Sequence, residues 1–191
     1  MAYVTDSFDD EVVRLLKNGG AGLLPTDTIY GLSARALDAD AVEKLRRLKG
    51  RDSNKPFIVL MSDVKMLDLL SIPQSQAEIV KEYWPGPLSM IFNAPKAPDW
   101  LRATDGTLAI RLPVYDELRQ LIQLTGPLIS TSANLQGECP RNSVMEAKLL
   151  FGEQLDFYVD VGRLDNPPST LAVVKDGALV VERQGAVRIN S

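Results

Sequence analysis

Short apolar runs alternate irregularly with amphipathic stretches along the 191 residues of this chain, and that pattern admits few folds. Ala21–Leu24, Pro56–Met61, Leu88–Phe92, Thr107–Leu112, Leu128–Thr131 and Phe157–Val161 have the length and content of buried strands. Helical spacing marks Ser7–Asn18, where Ser7 with Asp10 forms an N-terminal cap and Gly19-Gly20 stop the helix. Asp40 with Glu43 forms a second capping box, and Gly50 ends that helix. Two short helices are expected over Asp63–Leu70 and Gln74–Tyr83, the second broken by Trp84-Pro85-Gly86-Pro87. Tyr115–Leu124 and Ser143–Phe151 are two more. Thr170–Val174 and Leu179–Glu182 form a hairpin across Lys175–Ala178. Some strands adjoin directly and others are separated by helices, so the fold class is α/β with a twisted mixed sheet and flanking helices.

The length suits one domain spanning residues 1–191. No apolar run has membrane-spanning length and no secretory leader is present, so a cytoplasmic, non-membrane protein is expected. The chain has no histidine, which removes Ser-His and Cys-His nucleophiles and the HExxH zinc site. Its single cysteine, Cys139, excludes an internal disulfide and a cysteine-rich metal site. Formal net charge is −4. Yet Lys44, Arg46, Arg47, Lys49, Arg51 and Lys55 crowd one stretch against Asp52. A basic cluster in an acidic chain suits a polyanionic ligand of modest size, such as a nucleoside triphosphate.

Four segments carry polar residues where strands end. Pro25-Thr26-Asp27-Thr28-Ile29-Tyr30-Gly31-Leu32 follows a strand and packs hydroxyls, a carboxylate, a phenol and a glycine together. This is either a turn with Tyr30 on the core or a pocket gripping a small polar ligand. The loop from Lys49 to Pro56 offers three cations. It is either a solvated helix end or a phosphate site. Arg111 ends an apolar strand and needs an anion, from a neighbouring Asp or Glu or from a substrate carboxylate. Ser130-Thr131-Ser132-Ala133-Asn134 places three hydroxyls and an amide at a strand end, where α/β sheets bind ligands. No P-loop or dinucleotide fingerprint is present.

Taken in order, these segments resemble the YrdC-like family, in particular its threonylcarbamoyl-AMP synthases of the TsaC type. Pro25–Leu32 matches the PT(D/E)TxYGL motif, Lys49-Gly50-Arg51 matches KxR, and Ser132-Ala133-Asn134 matches SxN with Gly137 after it. Trp84–Pro87, Thr107–Pro113, Pro168-Ser169-Thr170 and Arg183–Ala186 fall in family order. The resemblance implies a concave basic pocket. It implies synthesis of threonylcarbamoyl-AMP and pyrophosphate from L-threonine, bicarbonate and ATP, with Mg²⁺ on the phosphates. A separate tRNA threonylcarbamoyl transferase machinery would then modify the adenosine beside the anticodon. The extra C-terminal domain of longer relatives is not matched.

By the same resemblance, Thr28, Tyr30, Arg111, Ser130 (or Thr131) and Ser169 serve threonine. Lys49, Arg51, Lys55, Thr107, Ser132, Asn134 and Arg183 serve ATP. Lys49, Arg51, Ser132 and Asn134 are the catalytic group, and no protein residue holds a metal. Three positions depart from the pattern: Asp52 stands where proline is common, Leu60 where many relatives carry histidine, and Gln136 where serine is frequent. Two other readings compete. One is a carbamoyl-adenylate-type carbamoyltransferase module. The other is an RNA-binding or ribosome-assembly factor, with weak RNA contact as its milder form.

Overall fold

The computed structural model describes residues 1–52 and 55–189. Ser53 and Asn54 of the basic loop lie outside the described residues. Ten strands form one sheet: β1 (Tyr3–Thr5), β2 (Gly22–Leu24), β3 (Gly31–Arg35), β4 (Ile58–Leu60), β5 (Leu88–Asn93), β6 (Thr107–Arg111), β7 (Leu128–Ser132), β8 (Phe157–Val159), β9 (Thr170–Lys175) and β10 (Ala178–Arg183). Among the described residues four α-helices accompany it: α1 (Asp10–Lys17), α2 (Ala39–Lys49), α3 (Asp116–Thr125) and α4 (Val144–Phe151). The strand order is β1-β8-β2-β3-β7-β4-β6-β5-β9-β10. β8 pairs parallel with β1 and β2, as β4 does with β6 and β5 with β9. The β2–β3, β3–β7, β4–β7, β5–β6 and β9–β10 pairs are antiparallel. The sheet is mixed, as the irregular alternation requires.

Local signals explain most element ends. Gly50 closes α2 in the left-handed conformation, at φ 62°, where a side chain would cost backbone strain. The Ser143 hydroxyl caps α4 by accepting from the Glu146 N–H. Two expected caps are displaced. Asp9, not Ser7, caps α1 by accepting from the Val12 N–H, and it also takes the Tyr3 and Thr5 hydroxyl protons. Asp38, not Asp40, caps α2. In both cases the carboxylate immediately before the first helical residue, on extended backbone, is the one that reaches the free N–H groups. The segments Val64–Leu70 and Gln74–Val80 are 3₁₀ and not α-helical.

Two strands escape the pattern reading. β1 is three residues long, too short for a period to show. β3 sits in the middle of the sheet but reads Gly-Leu-Ser-Ala-Arg, with one large apolar residue and no β-branched or aromatic one. Its reason is positional. One face of β3 meets the core through Leu32 and Ala34, while the other carries Gly31 and Ser33.

The two sheet faces are covered unequally. The main core gathers Leu32, Ala34, Val59, Ile110 and Ile129 with Val42 and Leu45 of α2 and Ala147 and Phe151 of α4. On the opposite face, Val12 and Leu16 of α1 and Leu118, Leu121 and Ile122 of α3 cover Leu24, Leu60, Leu128 and Phe157. Alternation puts Gly31, Ser130, Ser132, Ile58, Arg111 and Ser89 on that same face. Apart from Ser89, these residues line the cavity described next.

Candidate active site

A cavity of about 220 Å³ opens over the central strands. The β2–β3 loop contributes Thr26, Thr28, Ile29 and Tyr30; β4 contributes Ile58 and Leu60; β6 contributes Arg111; and β7 contributes Ser130 and Ser132. Arg51, Pro140, Pro168, Ser169 and Arg183 enclose it. Three guanidinium groups and several hydroxyls therefore face one space, with Ile58 and Leu60 as an apolar patch among them. Such a lining favours an anionic ligand with a small apolar part.

At one end Arg111 is buried, its side chain 5% exposed. Its Nη1 donates to Thr28 Oγ1 at 3.0 Å. Thr26 gives its hydroxyl proton to the Ile29 carbonyl at 2.7 Å, so Thr28 is the donor in the 3.0 Å Thr28–Thr26 contact. The three groups form a one-way chain from Arg111 to the Ile29 carbonyl. It fixes the guanidinium and leaves Thr28 Oγ1 as an acceptor toward the cavity. Asp27 lies 3.4 Å from Arg111 Nη2. Burial pushes the Arg111 pKa down, Asp27 opposes that, and Arg183 adds to it.

At the other end Lys49 is 3% exposed. Its Nζ donates to the Ser132 carbonyl (2.6 Å), the Asn134 carbonyl (2.9 Å) and Asn134 Oδ1 (3.0 Å), with Ser132 Oγ at 3.3 Å. Ser132 Oγ in turn donates to Asn134 Oδ1 at 2.5 Å. The KxR and SxN segments are thus one hydrogen-bonded unit. Burial, helped by the Arg51 charge, lowers the Lys49 pKa to about 8.

Arg51 is more than a solvated helix end. Its Nε donates to the Lys55 carbonyl and its Nη2 to the Pro56 carbonyl, both at 2.8 Å, and its guanidinium lies 5.1 Å from the Phe57 ring centroid. Nη1 reaches Thr131 Oγ1 at 3.4 Å. Two of the departures from the family pattern meet here. Gln136 Oε1 accepts from the Asp52 N–H at 3.0 Å, a bond that proline at 52 could not make. The Gln136 N–H also donates to the Lys49 carbonyl. The third departure, Leu60, is fully buried, lines the cavity and pairs in register with Arg111.

Ser169 completes the wall. Its Oγ lies 2.9 Å from Ser89 Oγ, and Arg183 Nη2 donates to its carbonyl at 2.8 Å. Thr170 Oγ1 accepts from the N–H groups of Gly185 (3.0 Å) and Val187 (3.1 Å) and donates to the Val187 carbonyl (2.6 Å). These bonds fold the segment after β10 back over the start of β9 and fix where Arg183 points.

Of the residues expected from sequence, Thr28, Tyr30, Arg51, Arg111, Ser130, Thr131, Ser132, Ser169 and Arg183 line the cavity. Lys49 and Asn134 sit directly behind Ser132. The Tyr30 hydroxyl itself is engaged elsewhere, donating to the Gly162 carbonyl and accepting from the Val161 N–H. Two residues are not brought in. Lys55 is exposed, and its carbonyl braces Arg51. Thr107 sits at the other end of β6 from Arg111 and lines a separate apolar cleft with Ile79, Ile91 and Val173. Its hydroxyl donates to Asp105. Sequence reasoning gave no role to Asp27 or Ser89, which contact the wall residues Arg111 and Ser169. Ser89 had a signal, a hydroxyl inside the apolar run Leu88–Phe92.

The fold and cavity define an α/β protein with an anion-receptive pocket on the open face of a mixed sheet. Comparison with known proteins narrows this. Residues 14–185 match the Sua5/YciO/YrdC family model, whose description is "Telomere recombination". The chain belongs to that family. A threonylcarbamoyl-AMP synthase of Coxiella burnetii is 36% identical over 156 residues, covering 80% of this chain and 83% of that protein. Sua5 of P. abyssi, solved in complex with L-threonine, superposes with a TM-score of 0.83 at 27% identity. The match covers 97% of this chain but 57% of that one, so this chain spans less than two thirds of the Sua5 chain. E. coli YciO shares the fold, with a TM-score of 0.84 at 23% identity over 97% of this chain and 96% of that one.

Proposed function

We propose that this protein is an L-threonylcarbamoyladenylate synthase, a nucleotidyltransferase that joins L-threonine, bicarbonate and ATP into threonylcarbamoyl-AMP and pyrophosphate. One observation carries the reading. A single cavity has Arg111 toward one end and Arg51 and Ser132 toward the other, with Arg183 near both and Lys49 and Asn134 bonded behind Ser132, a charge layout that suits a carboxylate at the first and phosphates at the second. The relatives named threonylcarbamoyl-AMP synthase and the threonine-bound Sua5 support the same ligands.

The chemistry needs no protein nucleophile. Threonine nitrogen and bicarbonate give a carbamate with loss of water. A carbamate oxygen then attacks the α-phosphorus, and the bond to the β,γ-pyrophosphate breaks. Arg111 holds the threonine carboxylate with Thr28 beside it. Ser130 and Ser169 line the region between the two ends, and Ile58 and Leu60 offer apolar contact for a methyl group. Lys49, Arg51 and Arg183 neutralise charge as pyrophosphate departs. Ser132 and Asn134 hold Lys49 in place.

Among the described residues, no group of three or more His, Cys, Asp or Glu could hold a metal ion. Magnesium would enter on the ATP phosphates, where it would supply further positive charge. The product would pass to a tRNA threonylcarbamoyl transferase machinery.

The deciding experiment is pyrophosphate release with threonine and bicarbonate each supplied or omitted. Release is expected when both are present. Equal release without threonine would overturn the assignment.

A further inference from the structure

Asp27 is buried beside the cavity, yet none of the roles above uses it. Its side chain is 3% exposed, and Oδ1 lies 3.4 Å from Arg111 Nη2. The contact is not a hydrogen bond. Asp27 Oδ1 and Arg111 Nε are both buried polar atoms without a hydrogen-bond partner among the described residues. The carboxylate is anchored from another side, since Oδ2 accepts from the Val114 N–H at 3.3 Å. Thr28 orients the guanidinium; Asp27 supplies opposing charge without shaping the geometry.

We infer that Asp27 is the counter-ion of the empty site and sets how tightly Arg111 holds a carboxylate. The inference rests on the reading that Arg111 receives the threonine carboxylate. A cation shielded from water needs an anion nearby, and Asp27 meets that need while the cavity is empty. An arriving carboxylate finds a guanidinium already partly neutralised and repels Asp27 besides. Asp27 thus trades ligand affinity for stability of the unliganded protein. Removing its charge has effects of opposite sign: a less stable free protein that binds the carboxylate more tightly.

The test uses Asp27→Asn, which keeps an oxygen for the Val114 N–H. L-Threonine is titrated calorimetrically with ATP present, and melting curves are recorded with and without threonine. The variant should melt earlier alone, bind threonine about three- to tenfold more tightly, and gain more in Tm from saturating threonine than the wild type does. Unchanged or weaker affinity with a lowered Tm would overturn the inference and leave Asp27 a brace for the loop. Asp27→Ser, neutral and smaller, carries the same expected sign should the Asn variant fail to fold. If the wild type itself shows no threonine-dependent pyrophosphate release, the proposed function fails instead. Acetate then replaces threonine in the melting curves, where a shift no larger in the variant than in the wild type overturns the inference and a larger one supports it.

Discussion

Gly31 and Ser130 are neighbours across the β3–β7 pair, so close that a Cβ on Gly31 would lie 2.4 Å from Ser130 Oγ. The hydroxyl occupies the space a larger residue would need. Gly31→Ala should therefore destabilise the protein by about 1–3 kcal/mol and push Ser130 out of position, lowering turnover. In the double variant with Ser130→Ala the clash is gone, because the next nearest atoms to that Cβ are 3.6 and 3.7 Å away. Its Tm should recover toward wild type. A double variant no more stable than Gly31→Ala would show that the clash is not with the hydroxyl.

Lys49 ties stability and nucleotide binding to pH with opposite signs. Its pKa is about 8 in the fold, below the ordinary 10.5, so the folded state disfavours the charged form. Below pH 8 the lysine is protonated in both folded and unfolded chains, and the full cost of burying the charge is present. Between pH 8 and 10.5 the unfolded chain binds more protons, and this group's contribution to stability rises. Binding needs the charge, so kcat/KM for ATP should fall as pH passes about 8. In Lys49→Arg that alkaline fall should move up or vanish, whatever its absolute rate, because arginine stays charged. The pH profile of kcat/KM in both proteins checks this.

Arg51→Ala should weaken ATP binding and also lower the Tm. A purely solvated helix-end arginine would leave the fold intact, but this one donates to the Lys55 and Pro56 carbonyls and lies over Phe57. Each lost hydrogen bond is worth on the order of 1 kcal/mol. ATP calorimetry beside a melting curve on the same variant reads both effects.

Arg111→Lys keeps the charge but loses the planar fork that meets Thr28 and a ligand at once. Threonine affinity should fall about tenfold to a hundredfold. Threonine titration with ATP present checks it, and normal affinity in a destabilised variant would remove Arg111 from the site.

The sequence showed the mixed sheet, the stop at Gly50, the helix from Ser143 and the last hairpin, because each rests on local chemistry. The family resemblance grouped Thr28, Arg51, Arg111 and Ser132 in one site, and all four line the cavity. What the sequence hid depends on distant neighbours. β3 was concealed because its apolar side is only Leu32 and Ala34, while Gly31 and Ser33 on its other side have poor strand preference. Thr107 was assigned to ATP by the family resemblance, but it lies at the opposite end of the strand from Arg111. A strand runs about 3.3 Å per residue, which takes Thr107 out of the pocket. The Asp27–Arg111 pair joins a loop to a strand 84 residues later, a partnership no local pattern reveals.

The ties from Thr170 to Gly185 and Val187 bear on the birth of the protein. Chains emerge from the ribosome N-terminal end first. Thr28, Lys49, Arg111 and Ser132 are all made well before Arg183 and the backbone that anchors it. A nascent chain can therefore settle most of its sheet before a third guanidinium joins Arg51 and Arg111. The mutual repulsion of these cations is deferred until the surrounding framework is in place to bear it, and the cavity gains its full positive charge only once the segment carrying Arg183 is made.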